Sequence, residues 1–361
     1  MKISLLVNYL GTRGAGPVYA LEVAKEFLNK GCAVVALIPS DIENFDKWKE
    51  SGIDLVVVES YQGLMNKVRL VAGFIFGNAV RSELLALEFT HIYSPMLGPF
   101  TYFVNRLFDR PQIITTLHDP IPHPGSNFIV NILNDIVCRK SDYLVILSQR
   151  FTSYCVEKFR LDPAKVITLR HPMFGNARSK DVLAYNFNHT KEFNFLFIGR
   201  IEKYKGLEIF LDACLEIQKL YSNFSVSIVG SGNLSKFAAK IDQIDNIDVC
   251  NRWLDNDEIP GFFLRPRTIT VLPYTSGTQS GIIPLAMAHK SFIICSNIDS
   301  LADQLNGHGL LVEPNDANSL SEGLGKVLSG EIEFDQDVIS AFSYINTQTW
   351  SAMVEELLLR I

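Results

Sequence analysis

The sequence predicts an α/β protein made of two doubly wound domains, each with a parallel sheet covered on both faces. Three observations predict it. Short apolar runs rich in branched residues alternate with stretches of helical spacing along the whole chain. The chain has 361 residues, roughly two domains at about 150 residues each. The alternation breaks once, in a largely polar stretch, and then starts again.

The first run, residues 2–8, is followed by a loop holding Gly11, Gly14 and Gly16 and closed by Pro17. Val18, Leu21, Ala24, Phe27 and Leu28 then recur at helical spacing up to Lys30 and Gly31, a basic last turn and a glycine stop. Residues 33–38 form the next strand, which completes a βαβ unit with a glycine-rich first turn. Further strands are predicted at 55–58, 91–94, 113–117 and 143–147. Residues 173–191 carry Asn176, Asn186 and Asn188 with no sustained period, and read as a linker. The second series has strands at 193–198, 225–229, 247–250, 269–272 and 292–295, with helices at 207–220, 234–241, 281–288 and 317–328. The expected division is a first domain over 1–172, the linker, a second domain over 192–340, and a final helix over 341–361.

Apolar residues make up 47% and charged residues 20% of the chain, so sizeable cores can form and disorder is excluded. Thirty-three basic against thirty-nine acidic side chains give a net charge of −6, which argues against a dedicated nucleic-acid binder. Cys32, Cys138, Cys155, Cys214, Cys250 and Cys295 show no Cys-x-x-Cys spacing and sit mostly in apolar runs. The expectation is a reduced, cytosolic protein with no signal peptide and no membrane-spanning segment.

In open α/β sheets, ligands lie beyond the carboxyl ends of the strands. Five loops occupy those ends: 8–16, 118–124, 199–205, 230–234 and 274–281. Gly199 and Arg200 follow the first strand of the second series, and Lys205 and Gly206 lead into a helix. Arg200 can fork onto phosphate oxygens and Lys205 adds a compact charge, although a basic loop on a solvated face is the plain alternative. Gly230 and Gly232 follow another strand, where glycine also serves tight turns for φ alone. Residues 275–281 are small and polar, and end in Gln279, Ser280 and Gly281 before a helix whose N-terminus attracts anions. No P-loop and no G-x-G-x-x-G fingerprint is present. A diphosphate held by that helix start with Arg200 and Lys205 is favoured over a triphosphate site. His118 ends a strand, followed by Asp119. It either faces a ligand hydroxyl or is a satisfied structural histidine, with Asp119 bonding the imidazole or the backbone. His123 and His171 neighbour prolines and read equally well as loop residues; His308 lies between two glycines with no identifiable partner.

These motifs, in this order, resemble the retaining family 4 glycosyltransferases: residues 8–16, His118 with Asp119, Gly199 and Arg200 followed by Tyr204, Lys205 and Gly206, Gly230 and Gly232, and residues 272–288. The resemblance covers essentially the whole chain and is strongest over 193–288. It implies a GT-B fold of two Rossmann-like domains about a cleft, with the acceptor mainly on the first, a UDP- or GDP-linked sugar mainly on the second, and a last helix crossing back. It implies no cofactor and no metal. His118, Arg200 and Lys205 are the catalytic candidates. Gly14, Gly16, Gly199, Gly230, Gly232, Gln279, Ser280 and Gly281 are the donor-binding candidates. Where the family carries Glu-x7-Glu, this sequence aligns Gly277 and Leu285. Residues 278–281 resemble a variant linked to surface polysaccharide assembly, with Gln279 and Ser280 as replacements.

The expected function is therefore metal-independent, retaining transfer of a sugar from a nucleotide donor to a glycan or lipid-linked acceptor. A sugar-nucleotide 2-epimerase and a non-catalytic subunit that activates a partner are the alternatives. Residues 64–89 are apolar with Lys67, Arg69 and Arg81, and Val68, Val71, Ala72, Ile75 and Phe76 are the expected packing face. A core helix is favoured there; the alternative is a surface resting on the inner face of an anionic membrane.

Overall fold

The computed structural model of the protein describes residues 3–122, 127–172, 184–189, 191–255 and 257–361. The chain divides into two compact units, Met1–Arg170 together with Trp350–Ile361, and His171–Thr349.

In the first unit, β1 (Ser4–Asn8), β2 (Ala33–Pro39), β3 (Asp54–Val58), β4 (His91–Ser94), β5 (Gln112–Leu117), β6 (Tyr143–Ile146) and β7 (Val166–Thr168) form one parallel sheet, ordered β3-β2-β1-β4-β5-β6-β7. Its helices are α1 (Ala15–Asn29), α2 (Phe45–Lys49), α3 (Leu64–Phe76), α4 (Ala79–Leu85), α5 (Thr101–Asn105), α6 (Phe128–Lys140) and α7 (Thr152–Phe159). In the second unit, β8 (Phe193–Ile198), β9 (Phe224–Val229), β10 (Ile247–Cys250), β11 (Thr268–Leu272), β12 (Phe292–Ser296) and β13 (Leu310–Val312) form a parallel sheet ordered β10-β9-β8-β11-β12-β13. The helices there are α8 (Leu207–Ile217), α9 (Ala238–Ile241), α10 (Ile282–Ala288), α11 (Asp299–Leu305), α12 (Ala317–Leu328) and α13 (Asp335–Thr347). The last helix, α14 (Trp350–Leu358), belongs to the first unit.

Both sheets thus have the doubly wound order predicted from the sequence. The strand order reverses between β1 and β4 in one sheet and between β8 and β11 in the other. Those reversals leave a crevice at the carboxyl ends, and the candidate loops follow these strands. The strands are largely apolar because both faces are covered, with Thr115, Thr116, Asn194, Ser225, Ser227 and Thr270 among the buried polar exceptions. In β8, Phe193, Phe195 and Phe197 share a cluster with Phe210, Leu211 and Leu324, while Leu196 and Ile198 share another with Ile283, Met287 and Ile345. The alternation follows the two-residue period of a strand.

Three expectations are corrected at this level. The segment 341–361 is not one helix. It lies in α13 and α14, which are separated at Gln348 with φ −88° and ψ 71°. The apolar stretch 64–89 is two helices broken at Gly77, whose φ of 119° suits glycine. Asn78 then caps α4 by accepting the Arg81 N–H at 2.7 Å. The expected packing face of that stretch holds only in part. Val71 packs against the core with Leu70 and Phe74, whereas Val68, Ile75 and Phe76 are exposed. A helix apolar nearly all round gives no signal as to which side is covered.

Most of the predicted linker, residues 173–183 and 190 and so Asn176, lies outside the described residues. Its described part is fastened to the second unit: Tyr185 stacks on Phe262 at 4.3 Å, and the N–H groups of Asn188 and His189 donate to Asp248 at 3.0 and 3.1 Å. All six cysteines are free and buried. Among the described residues no helix is long and apolar enough to cross a membrane.

On α14, Leu357 is fully buried and Met353 lies against Tyr19 of α1. Leu357→Ala is expected to cost about 2–5 kcal/mol through lost burial and a residual cavity, read as a lower midpoint in urea unfolding. An unchanged midpoint would show that α14 contributes no packed seam.

Candidate active site

At the carboxyl end of the second sheet, three loops touch backbone to backbone. The Gly199 N–H donates to Val229 O at 2.9 Å, that of Ile201 to Ser231 O at 2.8 Å, and that of Gly230 to Cys250 O at 2.9 Å. A Cβ on Gly230 would overlap the Gly199 carbonyl, one on Gly232 would overlap Ile201, and one on Gly206 would overlap the Pro273 carbonyl. Gly199, Gly206 and Gly230 also have φ of 129°, 69° and 134°. Gly206, Gly230 and Gly232 therefore have a steric role, in that they let the loops after β8, β9 and β11 close on one another.

That closure fixes Lys205. It ends a short 3₁₀ turn, Lys203–Lys205, and its side chain runs back toward Gly199. The ammonium donates to the Tyr274 hydroxyl at 2.6 Å. Lys205 is only 9% exposed, and among the described residues no carboxylate lies within ion-pair distance of it. Tyr274 in turn meets Ser280 Oγ at 3.2 Å. Arg200 lies on the same loop and is exposed. A buried cation without a carboxylate partner among the described residues, on the same loop as an exposed arginine, has the chemistry that suits an anion.

The loop before α10 is less open than its sequence implies. The Ser280 N–H is given to Gln304 Oε1 at 2.8 Å, and the Ile282 N–H to Ser280 Oγ at 3.3 Å. Two donors expected for a ligand are thus engaged internally, and α10 has only seven residues to supply a dipole. Gly281 is half-buried at the start of that helix, with Gln279 beside it in the loop. Ser300 Oγ donates to Gly277 O at 2.7 Å. The two positions that lack acids differ: a Cβ on Gly277 would be in ordinary contact with Tyr274, whereas Leu285 is buried in the apolar cluster of β8, β11 and α10.

In the first unit, Gly14 has φ 92° at the start of α1, with open space where a Cβ would stand. Gly11 and Gly16 answer to Tyr9, whose hydroxyl occupies the place of a Cβ on either. Gly16 is buried there. His118 follows β5 and is buried. Its Nε2 lies 2.9 Å from Pro95 O, and because a carbonyl only accepts, Nε2 carries the proton. Burial holds the imidazole below its usual pKa, against the opposing pull of the Pro95 bond and of the Asp119 charge. The ring is therefore neutral at pH 7, with an acceptor and not a donor at Nδ1. Tyr19 holds it edge-on at 4.7 Å, and Trp350 meets Tyr19 at 5.0 Å.

Lys205 lies beside Gly199 and is linked to Ser280 through Tyr274. His118, Asp119, Gly14 and Gly16 belong to the other unit. Tyr274, Gln304 and Tyr19 were not singled out from the sequence, because tyrosine and glutamine at such positions carry no pattern. His123 lies outside the described residues. His171 bonds its neighbour Pro172 O at 2.7 Å, and His308 pairs with Asp337 at 2.9 Å, a partner 29 positions away.

The family model of the group 1 glycosyl transferases matches residues 192–330. Over 173 residues the chain is 26% identical to a phosphatidyl-myo-inositol mannosyltransferase of Mycobacterium tuberculosis, covering 45% of this chain and 45% of that one. The chain spans about half the length of the curated relatives it matches. Among solved structures, Anabaena HepE in complex with UDP and glucose superposes with a TM-score of 0.75 at 13% identity, over 99% of this chain and 100% of that one. A Rickettsia africae glycosyltransferase superposes with a TM-score of 0.71 at 15% identity, over 99% and 97%. At these identities the likeness establishes the fold, which is GT-B. The residues matched by the family model lie within the second unit.

Burial lowers the pKa of His91, His118 and His289 from the usual 6.5. The unfolded chain takes a proton on each near pH 6.5 while the folded chain does not. Stability is therefore expected to fall as pH drops through about 6.5 and to be unaffected by these groups above it. His118→Gln should flatten that acid-side slope by one proton, up to about 1.4 kcal/mol per pH unit, in urea unfolding measured stepwise from neutral to acid pH. An unchanged slope would mean that His118 is not a buried neutral base.

Proposed function

We propose that the protein transfers a sugar from a nucleotide-diphosphate donor, UDP- or GDP-linked, to a glycan or lipid-linked acceptor, with retention of configuration and no metal requirement, in surface polysaccharide assembly. The observation that carries this reading is Lys205: a buried ammonium with no carboxylate partner among the described residues, on the same loop as Arg200 and within the matched residues. As the glycosidic bond to the nucleotide breaks, negative charge collects on the departing diphosphate. Fixed cations placed there stabilise that charge, as a divalent ion does elsewhere. The bound UDP and glucose of the HepE structure support a nucleotide-sugar donor, and the name of the mycobacterial relative supports a lipid-linked acceptor.

The first unit offers a surface suited to such an acceptor. The opening turns of α3 stand clear of the core, with Leu64 80%, Met65 79% and, at its end, Phe76 85% exposed. Residues 60–82 contain Lys67, Arg69 and Arg81 and no acidic side chain. Apolar burial with basic contacts is the chemistry of attachment to an anionic bilayer.

The reading is tested with a panel of nucleotide sugars and product analysis. Arg200→Ala and Lys205→Ala are each expected to lower transfer by about two powers of ten or more, since each removes a charge-assisted contact worth roughly 1.5–3 kcal/mol or more in a closed site. Wild-type transfer should survive EDTA. Tight nucleotide-sugar binding with neither transfer nor hydrolysis, acceptor present, would favour a non-catalytic binding subunit instead.

The surface is tested separately by sedimentation with phosphatidylglycerol vesicles. Wild type is expected to sediment at low salt, and Leu64→Asp combined with Phe76→Asp to stay in solution. Equal sedimentation of the two proteins would remove α3 from the membrane contact.

A further inference from the structure

The polar groups around Lys205 form a connected chain. An ammonium only donates, so Lys205 Nζ donates a hydrogen bond to Tyr274 Oη at 2.6 Å. The Tyr274 hydroxyl also shares a hydrogen bond with Ser280 Oγ at 3.2 Å, and Ser280 Oγ accepts the Ile282 N–H. Ser280 is itself clamped. The Gln304 amide takes its N–H at 2.8 Å and donates to its carbonyl at 2.7 Å, a two-point grip from α11. Tyr274, Ser280 and Lys205 are all buried. The ammonium lies where a side chain on Gly199 would begin, 3.1 Å from that point. The cation is therefore fixed at the end of β8 by a hydroxyl whose own position is set two residues deep.

A carboxylate in place of the phenol would orient Lys205 equally well. It would also cancel the charge, so that an incoming diphosphate would meet a neutral pair. A phenol orients the ammonium and leaves its full positive charge for the ligand. The two remaining ammonium protons have no acceptor among the described residues.

We propose that Tyr274, held by Ser280 and Gln304, is the positioning residue that aims an uncancelled Lys205 charge at the leaving diphosphate; this rests on the proposed reading of the donor site. Tyr274 acts through Lys205 and not by touching the donor sugar.

The experiment is a double-mutant cycle read by calorimetric titration with UDP and, separately, GDP, using the full chain. Tyr274→Phe removes the hydroxyl and keeps the ring in its apolar cluster. It is expected to weaken binding of the preferred nucleotide about ten- to a hundredfold. In the Lys205→Ala background the same change is expected to cost no more than about twofold, since its route of action is gone. If Tyr274→Phe does not fold, Gln304→Ala enters the same cycle, with the same loss of effect expected once Lys205 is absent. Additive losses, or a Tyr274→Phe protein that binds as wild type, would overturn the positioning role while leaving the diphosphate site intact. Lys205→Ala binding as wild type, or no binding of either nucleotide by wild type, would overturn the donor-site reading and this proposal with it.

Discussion

The candidate site depends on how closely three loops approach one another at the carboxyl end of the second sheet. Gly230 meets the Gly199 carbonyl, Gly232 meets Ile201, and Gly206 meets the Pro273 carbonyl, each at a separation that excludes a Cβ. Because the loops close to this degree, Lys205 is buried while its Nζ stays beside the backbone of Gly199. A side chain at any of these glycines would part the loops and let water reach the ammonium. Solvation would then weaken its interaction with an anion, since charge–charge energies fall as the surroundings become more polarisable.

The same loops settle the electrostatics. The chain as a whole carries a net charge of −6, yet Lys205 has no carboxylate beside it among the described residues. A phenol hydroxyl, a serine and a glutamine amide supply its fixed surroundings. The positions where acids were expected have unlike environments. Gly277 has room for a side chain next to Tyr274, and Leu285 is enclosed by apolar neighbours where an ionised group would be costly. A glutamate at Leu285 is therefore incompatible with this packing, while one at Gly277 is excluded by no contact.

The first unit uses its aromatic side chains in a comparable way. Tyr9 fills the space that Gly11 and Gly16 leave open, and Tyr19 joins His118 to Trp350 of α14. The last helix of the chain is thus part of the wall behind His118, although more than two hundred residues separate them in sequence. Burial behind that wall keeps the imidazole neutral and fixes which nitrogen holds the proton.

The sequence by itself determined the two parallel sheets, their strands to within a residue or two except for the short edge strands β7 and β13, which it missed, and the loops that hold Arg200, Lys205, His118 and Ser280. These features are local: a strand buried on both faces is mostly apolar, and a tight strand-to-helix turn favours glycine. The tertiary structure decided what depends on neighbours distant in the chain. Gly16 and Gly230 look alike as letters, yet one answers to the Tyr9 ring and the other to the Gly199 carbonyl. Tyr274 is an ordinary aromatic residue until folding sets its hydroxyl against Lys205, 69 positions away. Residues 64–76 are apolar on nearly every side, so periodicity could not tell that Leu70 and Phe74 face the core while Val68 and Phe76 face solvent. Partner choice across such separations is set by packing, which no single window of the sequence contains.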